Sequence, residues 1–266
     1  VESEAIEASK DAREKPVSLT TFHFYLLTFY FTLSRMGFYA DQVFPRLMDW
    51  IMRAPRFQEL RRQVLAPVRG HVLEIGFGTG LNLPHYPKSV TWLTAVDPAN
   101  FPNALVEKQT MAGSIPVKLV RLSAETLPFE SGQFDWAVST WTLCTISDPV
   151  AALREVRRVL KPGGQFIFLE HGRSDDPKIL KWQNRLNPLQ RVVACGCNLN
   201  RSIDALIRQA GLTIIQLERF QMDGVPRVAG SMYRGIATPH RPIITETLSS
   251  GRYRPIAPGA PGSGTV

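Results

Sequence analysis

The stretch whose reading decides the fold runs from Leu73 to Leu81: LEIGFGTGL. A dinucleotide fingerprint, G-x-G-x-x-G, would place its third glycine three residues after the second, a position held here by Leu81. The third glycine comes at Gly80 instead, so the pattern is Glu74-x-Gly76-x-Gly78-x-Gly80. A carboxylate closes an apolar strand, and glycines at spacing two let the backbone pass close to a ligand.

Outward from this turn the chain alternates strand-like and helical runs, the pattern of a parallel sheet covered on both faces. Strands are expected at 71–76, 89–97, 117–122, 134–140, 164–171, 212–220 and 229–238. Helices are expected at 101–112, at 148–160 with Asp148 and Pro149 as N-cap and first residue, and at 202–210, capped by Ser202 or Asn200 and stopped by Gly211. LKPGGQF, at 160–166, reads as a sharp helix-to-strand turn. The expected class is α/β: a doubly wound, seven-stranded, mostly parallel sheet over residues 66–239, preceded by an N-terminal aromatic helix.

At 266 residues, with 44% apolar and 20% charged residues, the chain has ordinary globular usage and room for one large domain with appendages. Three cysteines make no disulfide framework, and Cys195-Gly196-Cys197 lacks paired C-x-x-C spacing, so no metal site is expected. Reduced thiols point to an intracellular, reducing compartment. A net charge of +8 suits nucleic acid or an anionic membrane. The basic residues are dispersed, apart from Arg46, Arg53, Arg56, Arg61, Arg62 and Arg69, which read as a solvated helical face or a membrane-facing patch. With no concentrated basic groove, no nucleic-acid partner is expected.

Residues 1–15 are polar and read as a flexible N-terminus. PVSLTTFHFYLLTFYFTLS, from Pro16 to Ser34, carries no charge with His23 neutral and only just reaches spanning length. Its threonines at 21, 28 and 32 share one helical face opposite Phe, Tyr and Leu, which favours a helix lying in a membrane interface or lidding a pocket. Residues 16–65 are therefore expected to form a helical, membrane-facing or lid segment. Residues 240–266 read as a Pro/Gly-rich disordered tail.

Ligands of open parallel sheets sit beyond the carboxyl ends of the strands, at the switch point that the first strand borders. Asp97, followed by Pro98, ends the second expected strand, where a carboxylate accepts both hydroxyls of a ribose. Ser123-Ala124-Glu125 follows the third, where a backbone N–H and a small polar side chain meet an adenine edge. Glu74 suits an ammonium better than a phosphate, Asn82 stands where a following helix would begin beside a ligand carboxylate, and Thr140 closes the fourth strand on the same rim. A ribose, an adenine and an ammonium, with no lysine nearby, describe S-adenosyl-L-methionine.

These segments resemble the class I S-adenosylmethionine-dependent methyltransferases over roughly residues 66–238. VLEIGFGTG stands as motif I, AVDP as the ribose-binding acid, SAETLPFESGQFD as the adenine-side motif and LREVRRVLKPGGQFIFLE as the helix and fifth strand. Many relatives carry Asp where Ser123 stands; a hydroxyl still accepts from the adenine amine, with less charge. A tighter resemblance, to membrane-associated thiol S-methyltransferases and phospholipid methyltransferases, rests on FYADQVFPRLMDW, GTGLNLPHYP, STWTLCTI, FLEHGR, WQNRLNPLQ and CGCNLNRSIDALI. It implies methyl transfer to a lipophilic small molecule, a thiol or a lipid head group, by a peripherally membrane-associated enzyme. The alternatives are a quinone-type C/O-methyltransferase and a non-catalytic methyltransferase-fold subunit of a membrane complex. The expected catalytic residues are His171, as base or acceptor contact, and its neighbour Glu170; a backbone-bonded structural histidine is the alternative. Cys144 reads as a small buried thiol, and Trp141, Tyr39 and the aromatics at 22–31 as core or acceptor-pocket lining.

Overall fold

Along each central strand, apolar side chains alternate between two faces with period two, and both faces are covered. Leu73, Ile75, Ala137, Phe166 and Phe168 pack into one cluster; Val72, Trp136, Val138, Ile167 and Leu169 pack into another. The computed structural model describes residues 37–99 and 115–239. Its seven strands are β1 (Gly70–Ile75), β2 (Val90–Val96), β3 (Val117–Val120), β4 (Phe134–Thr140), β5 (Leu160–His171), β6 (Leu212–Gln221) and β7 (Ser231–Pro239). They form one sheet in the order β3-β2-β1-β4-β5-β7-β6. The first five pair in parallel, whereas β7 runs antiparallel to both β5 and β6. This is the expected doubly wound, mostly parallel α/β sheet, with the switch point between β1 and β4.

Helices α1 (Phe44–Met52), preceded by a π-type turn at Tyr39–Val43, and α2 (Pro55–Leu65) cover one face through Met52, Phe57, Val64 and Leu65. Helices α3 (Pro149–Val159) and α5 (Ile203–Gln209) cover the other through Leu153, Val156, Ile203 and Ile207. Helix α3 starts as the sequence predicts: Asp148 Oδ1 accepts from the amides of Val150 and Ala151 at 3.1 and 2.9 Å, with Pro149 at the first position.

Two expectations need correcting. LKPGGQF does not end before the strand begins, because Leu160 already pairs with Phe134 and Gln165 with Trp136, so Lys161–Gly164 form a bulge inside β5. A seventeen-residue helix, α4 (Pro177–Val193), escaped the periodicity reading, since only Ile179 and Gln183 on it are buried. It is held by polar contacts: Asp176 caps it at Lys178 N, and the Gln183 amide donates to the carbonyls of Gly172 and Val228. The expected flexible N-terminus, the aromatic helix at 16–34, the helix at 101–112 and the Pro/Gly-rich tail lie outside the described residues. Among the described residues no helix is long and apolar enough to cross a membrane.

Candidate active site

The glycine turn follows β1 with left-handed backbone at Gly76, Gly78 and Gly80. A side chain at Gly76 would strike the Thr142 side chain, so this glycine lets the β1 turn close against the β4 turn. A Cβ at Gly78 meets nothing within 4 Å. The turn there opens onto free space, with φ at +59°. Asp97, at the end of β2, anchors the same turn: Gly78 N donates to Oδ2 and Ala99 N to Oδ1, both at 2.9 Å. Each oxygen keeps a lone pair for a further donor. Burial raises the Asp97 pKa against the pull of these two amides.

Beneath the turn lies a closed polar array. Glu74 is fully buried, and its oxygens accept from Asn82 Nδ2 and from the Tyr86 hydroxyl, each at 2.8 Å. Burial lifts its pKa to about 7, with both hydrogen bonds and the charge of Arg61 opposing. Arg61, from α2, donates through Nη1 to Asn82 Oδ1 at 2.6 Å and to Thr140 Oγ1 at 3.0 Å. Desolvation lowers its pKa to about 10, and its buried Nε has no partner among the described residues. The guanidinium lies 4.8 Å from the ring centre of Trp141, against whose ring Phe57 packs edge-on.

Trp141 is, among the described residues, one of two non-glycine residues with left-handed backbone, its φ being +51°. The turn that holds it is fastened by Glu170, which accepts from Ser139 Oγ at 2.7 Å, from Thr142 N through both oxygens and from Leu143 N. Burial raises the Glu170 pKa and these donors oppose it. The acceptor capacity of Glu170 goes to the β4 turn, which it positions. His171 stands beside it at the end of β5. Its Nε2 stands 2.9 Å from Cys197 Sγ, and its Nδ1 is buried without a partner among the described residues. Its pKa is raised, contacts with Cys197 and Glu170 outweighing a desolvation that acts the other way.

Ser123, Ala124 and Glu125 reach the rim after β3. Ala124 is buried, and Glu125 joins Ser123 Oγ at 3.1 Å to Asp148 N at 2.7 Å, linking this loop to the start of α3. Pro98 is exposed beside Asp97. The structure thus unites Glu74, Asn82 and Thr140 in one array, and Gly76, Gly78, Gly80 and Asp97 in another directly above it. Glu170 reaches the glycine turn through Thr142, whose amide it accepts and whose side chain lies against Gly76; His171 faces Cys197.

Residues that the sequence reading missed complete the picture. Arg61 was grouped with five other arginines as a solvated or membrane-facing set, yet it is buried; among the rest, Arg53 pairs with Asp49 and Arg62 with Glu59. Its signal was available: Phe57, Arg61, Val64 and Leu65 stand at i, i+4, i+7 and i+8, so the arginine occupies the apolar stripe of α2. Asp49 on α1 accepts from Thr79 Oγ1 at 2.6 Å and pins that helix to the glycine turn; no local pattern marks this pair.

The residues fit an S-adenosylmethionine. The space at Gly78 is one a side chain would fill, the Asp97 carboxylate retains acceptor capacity toward a ribose, and the buried Arg61 and Glu74 supply opposite charges beneath the turn.

Residues 73–168 match the methyltransferase domain family. The chain is 33% identical over 151 residues to a thiol S-methyltransferase of Rattus norvegicus, covering 55% of this chain and 62% of that protein. It is 34% identical over 116 residues to a phosphatidylethanolamine N-methyltransferase of Cereibacter sphaeroides, covering 42% of this chain and 57% of that one. It therefore spans less than two thirds of the length of these relatives. Among solved structures, the N-methyltransferase NodS of Bradyrhizobium japonicum, in complex with S-adenosyl-L-homocysteine, shares the fold with a TM-score of 0.54. The identity is 16%, covering 71% of this chain and 90% of NodS.

Proposed function

We propose that this chain, which matches a methyltransferase domain family over residues 73–168 and is similar to thiol S-methyltransferases, methylates a lipophilic small molecule, a thiol or a lipid head group, from S-adenosylmethionine as an intracellular enzyme attached peripherally to a membrane. Held by the glycine turn and Asp97, the donor would supply an electrophilic sulfonium methyl group, which would bond to an acceptor lone pair as the C–S bond breaks and the neutral thioether leaves. The protein's part is alignment and exclusion of water. Asp97 orders the glycine turn and offers its remaining lone pairs to the ribose. Glu74, Asn82, Tyr86, Thr140 and Arg61 form a rigid charged floor for the methionine end. Glu170 holds the β4 turn so that Trp141 walls the site.

The observation that carries the lipophilic, membrane-side reading is on α1. That helix is fastened to the glycine turn through Asp49 and Thr79, and with Val43 of the preceding turn it presents Leu47 and Trp50 to solvent, at i, i+4 and i+7, Trp50 being 74% exposed. An apolar stripe facing outward beside a small-molecule site suits an acceptor that partitions into lipid. The thiol and phospholipid activities named for the relatives supply the acceptor classes.

The test is transfer from methyl-labelled donor by purified protein to alkyl thiols of increasing chain length, to phosphatidylethanolamine vesicles and to quinols. Transfer that grows with chain length supports the reading. Donor binding without transfer to any class would make the protein a non-catalytic subunit, and failure of folded protein to bind the donor would sink the reading altogether.

A further inference from the structure

Cys144 from the β4 turn, His171 from the end of β5 and Cys197 from the loop between α4 and α5 bring two sulfurs and one imidazole nitrogen within 4.8 Å of one another. We propose that these three side chains form a binding site for a thiophilic d10 cation of the Zn2+ type, coordinated by Cys144 Sγ, His171 Nε2 and Cys197 Sγ. The spacing argument that excluded a metal looked for partners close in sequence; here the ligands come from three segments that only the fold assembles.

The geometry suits one ion. With Zn–S of about 2.3 Å and Zn–N of about 2.0 Å, tetrahedral ligand atoms lie about 3.5 to 3.8 Å apart. The 2.9 Å between His171 Nε2 and Cys197 Sγ and the 4.8 Å limit of the trio bracket those values. Side-chain adjustments of less than about an ångström close the shell, and three protein ligands leave a fourth position for water or an outside ligand.

The scaffold is built to hold Cys197 there. Cys195 and Gly196 both take left-handed backbone, at φ +47° and +98°, a costly turn for a cysteine. Asn198 donates from its amide and its side chain to the Cys144 carbonyl at 2.9 and 3.0 Å, and Arg201 Nη1 donates to the carbonyls of Leu143 and Ile146. Charge also balances. Binding expels two thiol protons to solvent, the imidazole enters neutral with its proton on Nδ1, and a dication with two thiolates is neutral overall, which a buried site tolerates. Both cysteines are buried. Cations that prefer oxygen ligands, such as Mg2+ and Ca2+, find no carboxylate within the trio.

The full-length protein, prepared with reductant and stripped by chelator, is titrated with Co2+ and then Zn2+. One Co2+ per chain is expected, with tetrahedral d–d absorption and a near-ultraviolet thiolate charge-transfer band, both displaced by Zn2+. Zn2+ calorimetry in two buffers of different ionisation enthalpy should show at least two protons released per ion, two from the thiols and the remainder from the protonated fraction of His171. Cys144→Ser and Cys197→Ser should each remove most of the charge-transfer band, whereas Cys195→Ser, outside the trio, should leave it intact. Circular dichroism separates ligand loss from misfolding, and the wild-type titrations decide the matter if a variant fails to fold. Absence of stoichiometric binding, loss of the band in Cys195→Ser alone, or a Cys144–Cys197 disulfide in the reduced preparation would overturn the proposal.

Discussion

Glu74 lies under the glycine turn with both oxygens occupied and its proton held to about pH 7 by burial. The folded protein binds this proton more tightly than the unfolded chain, whose carboxyl titrates near 4.5. Its contribution is complete below about pH 4.5 and is lost as pH rises to about 7, roughly 3 kcal/mol at about 1.4 kcal/mol per tenfold. Glu74→Gln keeps an acceptor for Asn82 and offers a donor to Tyr86, so denaturant melts between pH 5 and 8 should show a flatter stability profile than wild type. Parallel profiles would mean that Glu74 does not titrate in this range. Asp97→Ala, which removes the carboxylate facing the expected ribose, should weaken donor binding by roughly 1.5–3 kcal/mol, the scale of hydrogen bonds to a charged acceptor. Gly78→Asn tolerates the left-handed backbone and places a side chain in the open space above the turn, so calorimetry should find folded protein with no measurable donor affinity.

Among the elements, α3 is the clearest case of local chemistry fixing a boundary. Asp148 caps two amides and lends its own amide to Glu125, so the helix start and the Ser123–Glu125 loop are joined. Asp148→Ala should cost about 1 kcal/mol, seen as a fall of a few degrees in the calorimetric midpoint. An unchanged midpoint would show that Pro149 alone defines the start. At the other extreme, α4 presents Trp182, Leu189, Val192 and Val193 to solvent and buries little. Its place depends on Gln183 reaching three backbone groups across loops, which no hydrophobic period announces.

For the molecule as a whole, the proposed membrane attachment joins the exposed stripe of α1 to the uncharged stretch at 16–34. Flotation with anionic liposomes should carry the full-length protein upward and release it at high salt or alkaline carbonate, as interfacial binding does. Leu47→Glu with Trp50→Glu should reduce the floated fraction more than about tenfold, since two large apolar side chains lose their burial. Removing residues 1–34 should leave donor binding intact while lowering flotation further. A full-length protein that never floats would refute the attachment, and a deletion that unfolds the domain would assign 1–34 to the core.

Sequence alone determined what short-range rules control. The seven strands follow from short apolar runs set between helical stretches and turns, the turn at Gly76–Gly80 from residues that tolerate left-handed backbone, and the α3 start from Asp148 and Pro149, each readable within a few residues of chain. Only the tertiary structure decided which charged and sulfur-bearing side chains meet. Arg61 enters the site because α2 lays its apolar stripe on the sheet, and Glu170 turns to the β4 loop because Ser139, Thr142 and Leu143 offer it four hydrogen bonds there. Cys144, His171 and Cys197 converge across 53 positions of sequence. A buried polar group takes whichever partner satisfies it, and that partner is set by strand order and loop packing, on which composition and spacing are silent.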